Sequence, residues 1–280
     1  MSAPAVSVVV PTRNRADYLA VALRSLRDQK DAGPHELLVV DDGSTDATGE
    51  VAIRAGVRCL RLDPAHGLNA ARNAGIAATA APLVAFVDDD VLVPPGWLRE
   101  LLDGVARHPG AEAFGGPIRA RLEGPAPRAC GRESPPITTL DLGDEDREAE
   151  MVWGANFAVR RVAFERYGLF DERVTGHGDE EDWLMGLRSA GGQIAYLAGA
   201  GLEHRRAGDD ARLSSLARAA FHRGRNARRT ALRRGNPPSP ARELRDVAGA
   251  VWHTVRRRCP QGVIMGAHSA GRLAESLRQR

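Results

Sequence analysis

An α/β fold with a mostly parallel, mixed sheet flanked by helices is what this 280-residue sequence predicts, on three observations. Short β-branched runs alternate with segments of helical period. Acidic clusters stand at the ends of two of those runs. The glycine-rich turns that open dinucleotide and P-loop folds are missing. Ligands of such sheets bind beyond the carboxyl ends of the strands, so both acidic clusters are candidate sites.

The elements follow in order. Val6 to Val10 is the first strand, Pro11-Thr12-Arg13-Asn14-Arg15 a turn, and Leu19, Ala22, Leu23 and Leu26 fall at helical spacing. Leu37 to Val40 is the second strand, and Asp41-Asp42-Gly43-Ser44-Thr45-Asp46 supplies carboxylates, a flexible glycine and a cap for a helix starting near Ala47. Cys59, Leu60 and Leu62 mark a third strand, Leu68 to Ala80 a helix of small residues, and Leu83 to Val87 a fourth strand ending in Asp88-Asp89-Asp90. Arg119 to Glu150, with Pro125, Pro127, Pro135, Pro136 and then many acids, reads as a mobile loop able to act as a lid. Beyond Ala207, Leu213, Leu216, Ala217, Ala220 and Phe221 form one apolar helical stripe and Leu244, Val247, Ala248, Val251 and Val255 another, interrupted by Pro237, Pro238 and Pro240.

Composition narrows the class. Hydrophobic residues make up 43% and charged residues 27%, ordinary for a soluble globular protein. No apolar run nears the ~18–20 residues of a membrane span, and Val6 to Val10 follow the start without a signal core. The expected location is cytoplasmic, with a peripheral position on the inner face of the membrane left open. Cys59, Cys130 and Cys259 lack paired spacing, so neither a disulfide framework nor a zinc cluster is expected. Lys30 is the only lysine, and arginine dominates from Arg205 onward. That end either faces an anionic surface, with Trp252 and Arg256-Arg257-Arg258 at lipid headgroups, or covers the preceding domain.

The three carboxylates after Val87 concentrate charge that a hard divalent cation would neutralise. Mg²⁺ or Mn²⁺ takes oxygen ligands and commonly completes its shell with water and phosphate oxygens. The expected substrate is therefore phosphorylated.

Seven segments together resemble a known family. They are Val8-Val9-Val10-Pro11-Thr12-Arg13-Asn14, Val39-Val40-Asp41-Asp42-Gly43-Ser44-Thr45-Asp46, Gly67-Leu68-Asn69-Ala70-Ala71-Arg72-Asn73-Ala74-Gly75 and Phe86-Val87-Asp88-Asp89-Asp90, followed by Gly154-Ala155-Asn156-Phe157 with Gly168-Leu169-Phe170-Asp171-Glu172, and Gly178-Asp179-Glu180-Glu181-Asp182-Trp183. In order and spacing they resemble family 2 glycosyltransferases of the GT-A fold. The resemblance covers roughly residues 5 to 206. It implies a catalytic domain over 1–206, with a nucleotide-binding half (1–110) and an acceptor half (111–206), and an Arg-rich helical extension over 207–280.

The resemblance also implies a reaction and a set of roles. A sugar passes from a nucleotide-diphospho-sugar donor to an acceptor hydroxyl with inversion, assisted by Mn²⁺ or Mg²⁺ and a carboxylate base. Asp88 and Asp90, with His204, are the implied metal ligands. Pro11, Thr12, Arg13, Asp41, Asp42, Arg72, Asp88 and Asp89 are the implied donor-binding residues, although Asp42 could instead stabilise its own turn and Arg72 could be a surface residue. Trp153, Gly154 and Asn156 match the acceptor side, where core packing is the competing role for Trp153. A gapless alignment through Ala190-Gly191 and Ile194 puts the base on Glu180, ahead of Asp182 and then Glu181; Glu in place of the family's Asp is a departure. The acceptor is open among saccharide, lipid-linked and small-molecule classes, and no nucleic-acid partner is expected. A non-catalytic sugar-nucleotide binder and a sugar nucleotidyltransferase are the alternatives.

Overall fold

The computed structural model describes residues 3–128, 130–132, 135–174 and 179–278, with the side chain of Asp179 outside the description. Gly178 of the last acidic motif likewise lies outside the described residues. The chain forms two compact units. One contains residues 1–119, 139–175 and 179–204, the other residues 120–138, 176–178 and 205–280.

In the first unit the chain begins β1 (Val6–Thr12), α1 (Ala16–Arg27), β2 (His35–Asp42), α2 (Thr48–Arg54), β3 (Arg58–Leu62), α3 (Leu68–Ala78), β4 (Leu83–Val87). It continues β5 (Val91–Leu92), α4 (Trp97–Arg107), β6 (Ala113–Gly115), β7 (Ile118–Glu123), β8 (Arg147–Glu148), β9 (Asn156–Arg160), α5 (Arg161–Tyr167), α6 (Asp179–Ser189), β10 (Ile194–Tyr196) and β11 (Leu202–Ala207), of which β7 and β11 begin in this unit and end in the second. Eight strands make one sheet in the order β3-β2-β1-β4-β9-β6-β10-β8. The first four are mutually parallel, and β9 runs antiparallel to both neighbours. β1 and β4 are every residue buried, because helices cover both faces and leave no solvent side for polar alternation.

Chain order reverses at β1. The chain steps outward through β2 and β3, then returns to place β4 on the other side of β1. The crevice between the carboxyl ends of β1 and β4 is thus the switch point where a ligand site forms. α3 lies tightly on β1: a Cβ at Gly75 would overlap the Val9 side chain. In the same core cluster, Phe86 of β4 stacks on Phe157 of β9 at 4.9 Å, and Phe164, Phe170 and Trp183 close around them edge-on or tilted. Two asparagines of α3 fasten the 170–172 turn to this cluster. Asn69 Nδ2 donates to Asp171 O at 2.9 Å, and Asn73 exchanges hydrogen bonds with the Phe170 backbone at 2.9 and 3.1 Å.

The second unit holds α7 (Leu213–Arg233), α8 (Pro240–Arg256) and α9 (Gln261–Arg278). Leu216, Ala220 and Ile264 pack with Ile137, and Leu122 joins them. Residues 120–138 therefore belong with the helices, and after residue 123 the described part of their proline-rich stretch forms no helix or strand, as its composition suggests. Its first part is strand β7, Arg223 Nη2 donates to Pro136 O at 2.6 Å, and Gln261 Nε2 donates to Pro127 O at 3.3 Å. Much of the arginine is used internally: Arg225 and Arg229 both grip Glu275, at 2.8 and 2.7 Å, and Arg228 meets buried Glu243 at 3.1 Å. The expected second stripe is not buried: Val247 is half-buried, and Leu244, Ala248, Val251 and Val255 face solvent with Trp252. The cysteines also depart from expectation, since Cys130 and Cys259 come together beside His253.

Candidate active site

Strand geometry delivers the acidic cluster. Asp88, Asp89 and Asp90 follow the buried end of β4, where the chain leaves the strand and turns at Asp89 and Asp90. Asp89 turns toward β1, where its carboxylate accepts from Thr12 Oγ1 at 2.7 Å and pairs with Arg15 Nε at 2.9 Å. Burial pushes the Asp89 carboxyl up to about 7, against the pull of Arg15, with the like charge of Asp90 adding to the rise. Asp90 pairs with Arg15 Nη2 at 2.7 Å and lies 3.2 Å from His204 Nε2.

His204 reaches this point through its strand. β11 pairs antiparallel with β5, which sets His204 opposite Val91, the residue after Asp90. Asp88, Asp90 and His204 each place one ligand atom within 4.8 Å of the others. Two carboxylates and one imidazole form a hard, mostly oxygen donor set that suits Mn²⁺ or Mg²⁺.

Arg15 was not among the residues named from the sequence. Arg13, named for donor binding, is exposed, while Arg15 bridges two of the three aspartates and lies 4.3 Å from the Tyr18 ring centroid. Both arginines stand in the same turn, and only the backbone path distinguishes them. Arg15→Ala leaves two nearly buried carboxylates without this counter-charge. The expected loss is about 2 kcal/mol, a value for a buried pair discounted for the one-third exposure of Arg15, read as a lower urea midpoint and partly reversed by Mn²⁺.

The second acidic motif divides its work. Asp41 is fully buried; it accepts from Ser44 N and from Arg61 Nη1, each at 2.9 Å. Asp42 accepts from the backbone N–H groups of His66 and Gly67 at 2.6 and 2.9 Å, holding the loop that starts α3. The turn contact weighed for Asp42 is thus made by Asp41. Pro11 and Thr12 lie buried at the end of β1.

Across the sheet, Val87 pairs with Asn156, so the Trp153–Asn156 segment lies beside the start of the aspartate triplet. Gly154 N donates to Glu180 Oε1 at 2.8 Å, and Glu180 Oε2 lies 3.7 Å from Arg72 Nη1. Arg72 is a buried residue, 1% exposed, not a surface one; its guanidinium lies 5.5 and 5.6 Å from the ring centroids of Phe157 and Phe170. A methyl at Gly154 would overlap Arg72 Nη2 and press on the Glu180 carboxyl at 3.1 Å, so only glycine lets these three groups converge. Trp183 anchors α6 from below, its Nε1 donating to Gly168 O at 2.7 Å. That anchoring buries Glu180 and leaves Glu181 and Asp182 half-buried on the same helix.

Two acceptor-side residues have structural partners. Trp153 packs on the hydrophobic core. Asn156 Oδ1 accepts from Trp97 Nε1 at 3.1 Å, and its Nδ2 donates to the carbonyls of Pro117 and Ala200 at 3.2 and 2.8 Å. Asn156 thus braces the loops around the strand end with its whole amide.

A parallel half-sheet with an acidic strand end at its switch point, joined to a mixed half beside which α6 sets a second carboxylate, is the GT-A glycosyltransferase architecture. The family described as Glycosyl transferase family 2 matches residues 7–168, and the chain belongs to it. Validoxylamine A glucosyltransferase of Streptomyces hygroscopicus subsp. jinggangensis is 31% identical over 210 residues, covering 64% of this chain and 50% of that protein. Pre-mycofactocin glycosyltransferase of Mycobacterium tuberculosis is 33% identical over 202 residues, covering 68% of this chain and 40% of that protein. The chain thus spans half or less of the length of these relatives. Among solved structures, the mannosyltransferase PcManGT from Pyrobaculum calidifontis, in complex with GDP-Man and Mn²⁺, superposes with a TM-score of 0.65 at 18% identity over 100% of this chain and 89% of that one.

Proposed function

We propose that this chain transfers a sugar from a nucleotide-diphospho-sugar donor to an acceptor hydroxyl, with inversion at the anomeric carbon. One observation carries the reading: the Val87–Asn156 pairing sets the Asp88–Asp90 triplet beside the Gly154 segment to which Glu180 is bonded. A donor-side acidic cluster and a candidate base thereby share one end of the sheet. Asp88, Asp90 and His204 are the residues that would hold Mn²⁺ or Mg²⁺. When bound, the cation supplies Lewis-acid stabilisation of the charge on the departing nucleoside diphosphate.

The chain's own groups do the rest. Pro11, Thr12 and Asp42 shape the crevice for the nucleoside, and Arg13 at its exposed rim meets phosphate or solvent. Glu180, oriented by the Gly154 N–H and by Arg72, accepts the proton of the acceptor hydroxyl, and the oxygen attacks from the face opposite the leaving group. One displacement from that face inverts the centre, as in inverting glycosidases, where one carboxylate activates one water. Asp182 and Glu181, in that order, are the alternative bases. We assign Asn156 to bracing this segment, with Trp153 and Gly154 forming the acceptor side.

A thermal-shift panel of UDP-, GDP- and dTDP-sugars with and without Mn²⁺ tests the reading, because a ligand that binds only the native state raises its stability. One nucleotide class should raise the melting temperature, and only with metal. No shift with any donor would overturn it.

The exposed stripe of α8 supports peripheral membrane contact. Leu244, Val251, Trp252 and Val255 are 59%, 56%, 58% and 72% exposed and are followed by exposed Arg256, Arg257 and Arg258. Among the described residues no helix is long and apolar enough to cross a membrane. Co-sedimentation should show binding to anionic vesicles that weakens with salt, since each basic residue near such a surface contributes about 1 kcal/mol, screened within ~8–10 Å. Trp252→Glu should weaken it further. Equal recovery with neutral and anionic vesicles would remove this contact from the reading.

A further inference from the structure

The helical unit contains a second convergence of ligating side chains that the transferase reading does not use. Cys130, His253 and Cys259 each place one ligand atom within 4.8 Å of the others. Cys130 Sγ lies 3.3 Å from His253 Nε2, although the two residues are 123 positions apart in sequence. His253 and Cys259 are buried and Cys130 is exposed.

Local structure holds these positions. His253 lies in the last turn of α8, where the Arg257 N–H bonds to its carbonyl at 3.1 Å. The chain then turns tightly: Cys259 N donates to Thr254 O at 3.1 Å, and Gly262 N donates to Cys259 O at 3.0 Å as α9 begins. The 120–138 segment brings in Cys130 and is itself tied to α9 by the Gln261–Pro127 hydrogen bond. Three separate stretches of chain thus meet at one point.

The spacing and the chemistry agree on a ligand. Tetrahedral zinc, with Zn–S of ~2.3 Å and Zn–N of ~2.0 Å, sets sulfur and nitrogen ligands about 3.5 Å apart and two sulfurs about 3.8 Å apart. The 3.3 Å between Cys130 Sγ and His253 Nε2 is close to the sulfur–nitrogen edge, and a Cys259 ligand atom lies within 4.8 Å of both. Thiolate and imidazole donors select zinc-class cations and disfavour Mg²⁺ and Mn²⁺. We propose that Cys130, His253 and Cys259 form a binding site for a zinc-class divalent cation, separate from the Asp88–Asp90–His204 group. Each thiol releases its proton on binding, the neutral imidazole coordinates through Nε2, and the fourth position falls to solvent on the exposed Cys130 side. The cation would clasp the 120–138 segment to the junction of α8 and α9, closing a long loop in the chain.

Cobalt(II) titration of the full-length, reduced, chelator-stripped protein tests this. Cobalt bound by thiolate gives a sulfur-to-metal charge-transfer band, which an Asp–Asp–His group cannot produce. One equivalent should saturate the band, and Zn²⁺ should displace it. Cys130→Ser, chosen because Cys130 is exposed, and His253→Ala should each weaken binding at least ~10-fold, whereas Asp90→Ala should leave it unchanged. Absence of the band, or its survival in His253→Ala, would overturn the proposal. So would an intact mass lower by two hydrogens in protein purified without reductant, with Cys130 and Cys259 recovered as one disulfide-linked peptide.

Discussion

Asp90→Ala is expected to abolish metal-dependent donor binding and, with it, sugar transfer. Asp90 touches both neighbours that define the cluster, Arg15 at 2.7 Å and His204 at 3.2 Å, and belongs to the group able to hold a cation. In the parent protein, isothermal calorimetry should show nucleoside diphosphate affinity falling at least ~10-fold when chelator replaces Mn²⁺. In Asp90→Ala the affinity should already be at the chelated level and should not respond to Mn²⁺. Asp89→Asn is the internal control. Asp89 points away from the group, toward Thr12, so its loss should alter stability more than metal response. Equal donor affinity in the parent protein with and without chelator would refute the metal assignment, whatever the variant did.

The parallel half of this fold was legible because its signals are local. β1, β2 and β4 are apolar runs of strand length, and α1 has the 3.6-residue period. The mixed half was not. β6 and β10 are three residues each and β8 only two, too short to carry any period, and the direction of β9 is set by its partners. Site residues follow the same division. Asp88, Asp90 and His204 were named because a motif marks them, and the structure brings them together. Arg15 and Arg13 are equivalent in sequence, and the turn after β1 alone decides which one faces the aspartates. Cys130, His253 and Cys259 have no spacing motif at all, since only tertiary packing brings residue 130 to the end of α8. Prolines and acids marked Arg119 to Glu150 as loop, and the described residues between β7 and β8 form no helix or strand; composition does not show that Leu122 and Ile137 supply apolar contacts to α7 and α9.

Glu180→Gln is expected to keep donor binding and to lower kcat by about 10²- to 10⁴-fold, the usual contribution of a positioned base. The amide preserves shape and can still accept from Gly154 N, but it has no basic oxygen for the acceptor proton. It also removes the negative partner of Arg72, a charge buried at 1% exposure, so a lower melting temperature should accompany the kinetic loss. Glu180→Asp separates the two effects. It keeps the charge and restores the residue type of the family pattern, so activity should exceed that of the glutamine variant although the shorter side chain must reach farther. Gly154→Ala probes the same geometry without touching a carboxylate. The added methyl has no room beside Arg72 and Glu180, and displacing a base by about 1 Å can cost ~10²-fold in rate. If Glu180→Gln turns over at the parent rate while Asp182→Asn is inactive, the base lies two residues farther along α6. Glu180 would then be the positioning residue that, with Arg72, holds the acceptor segment in place.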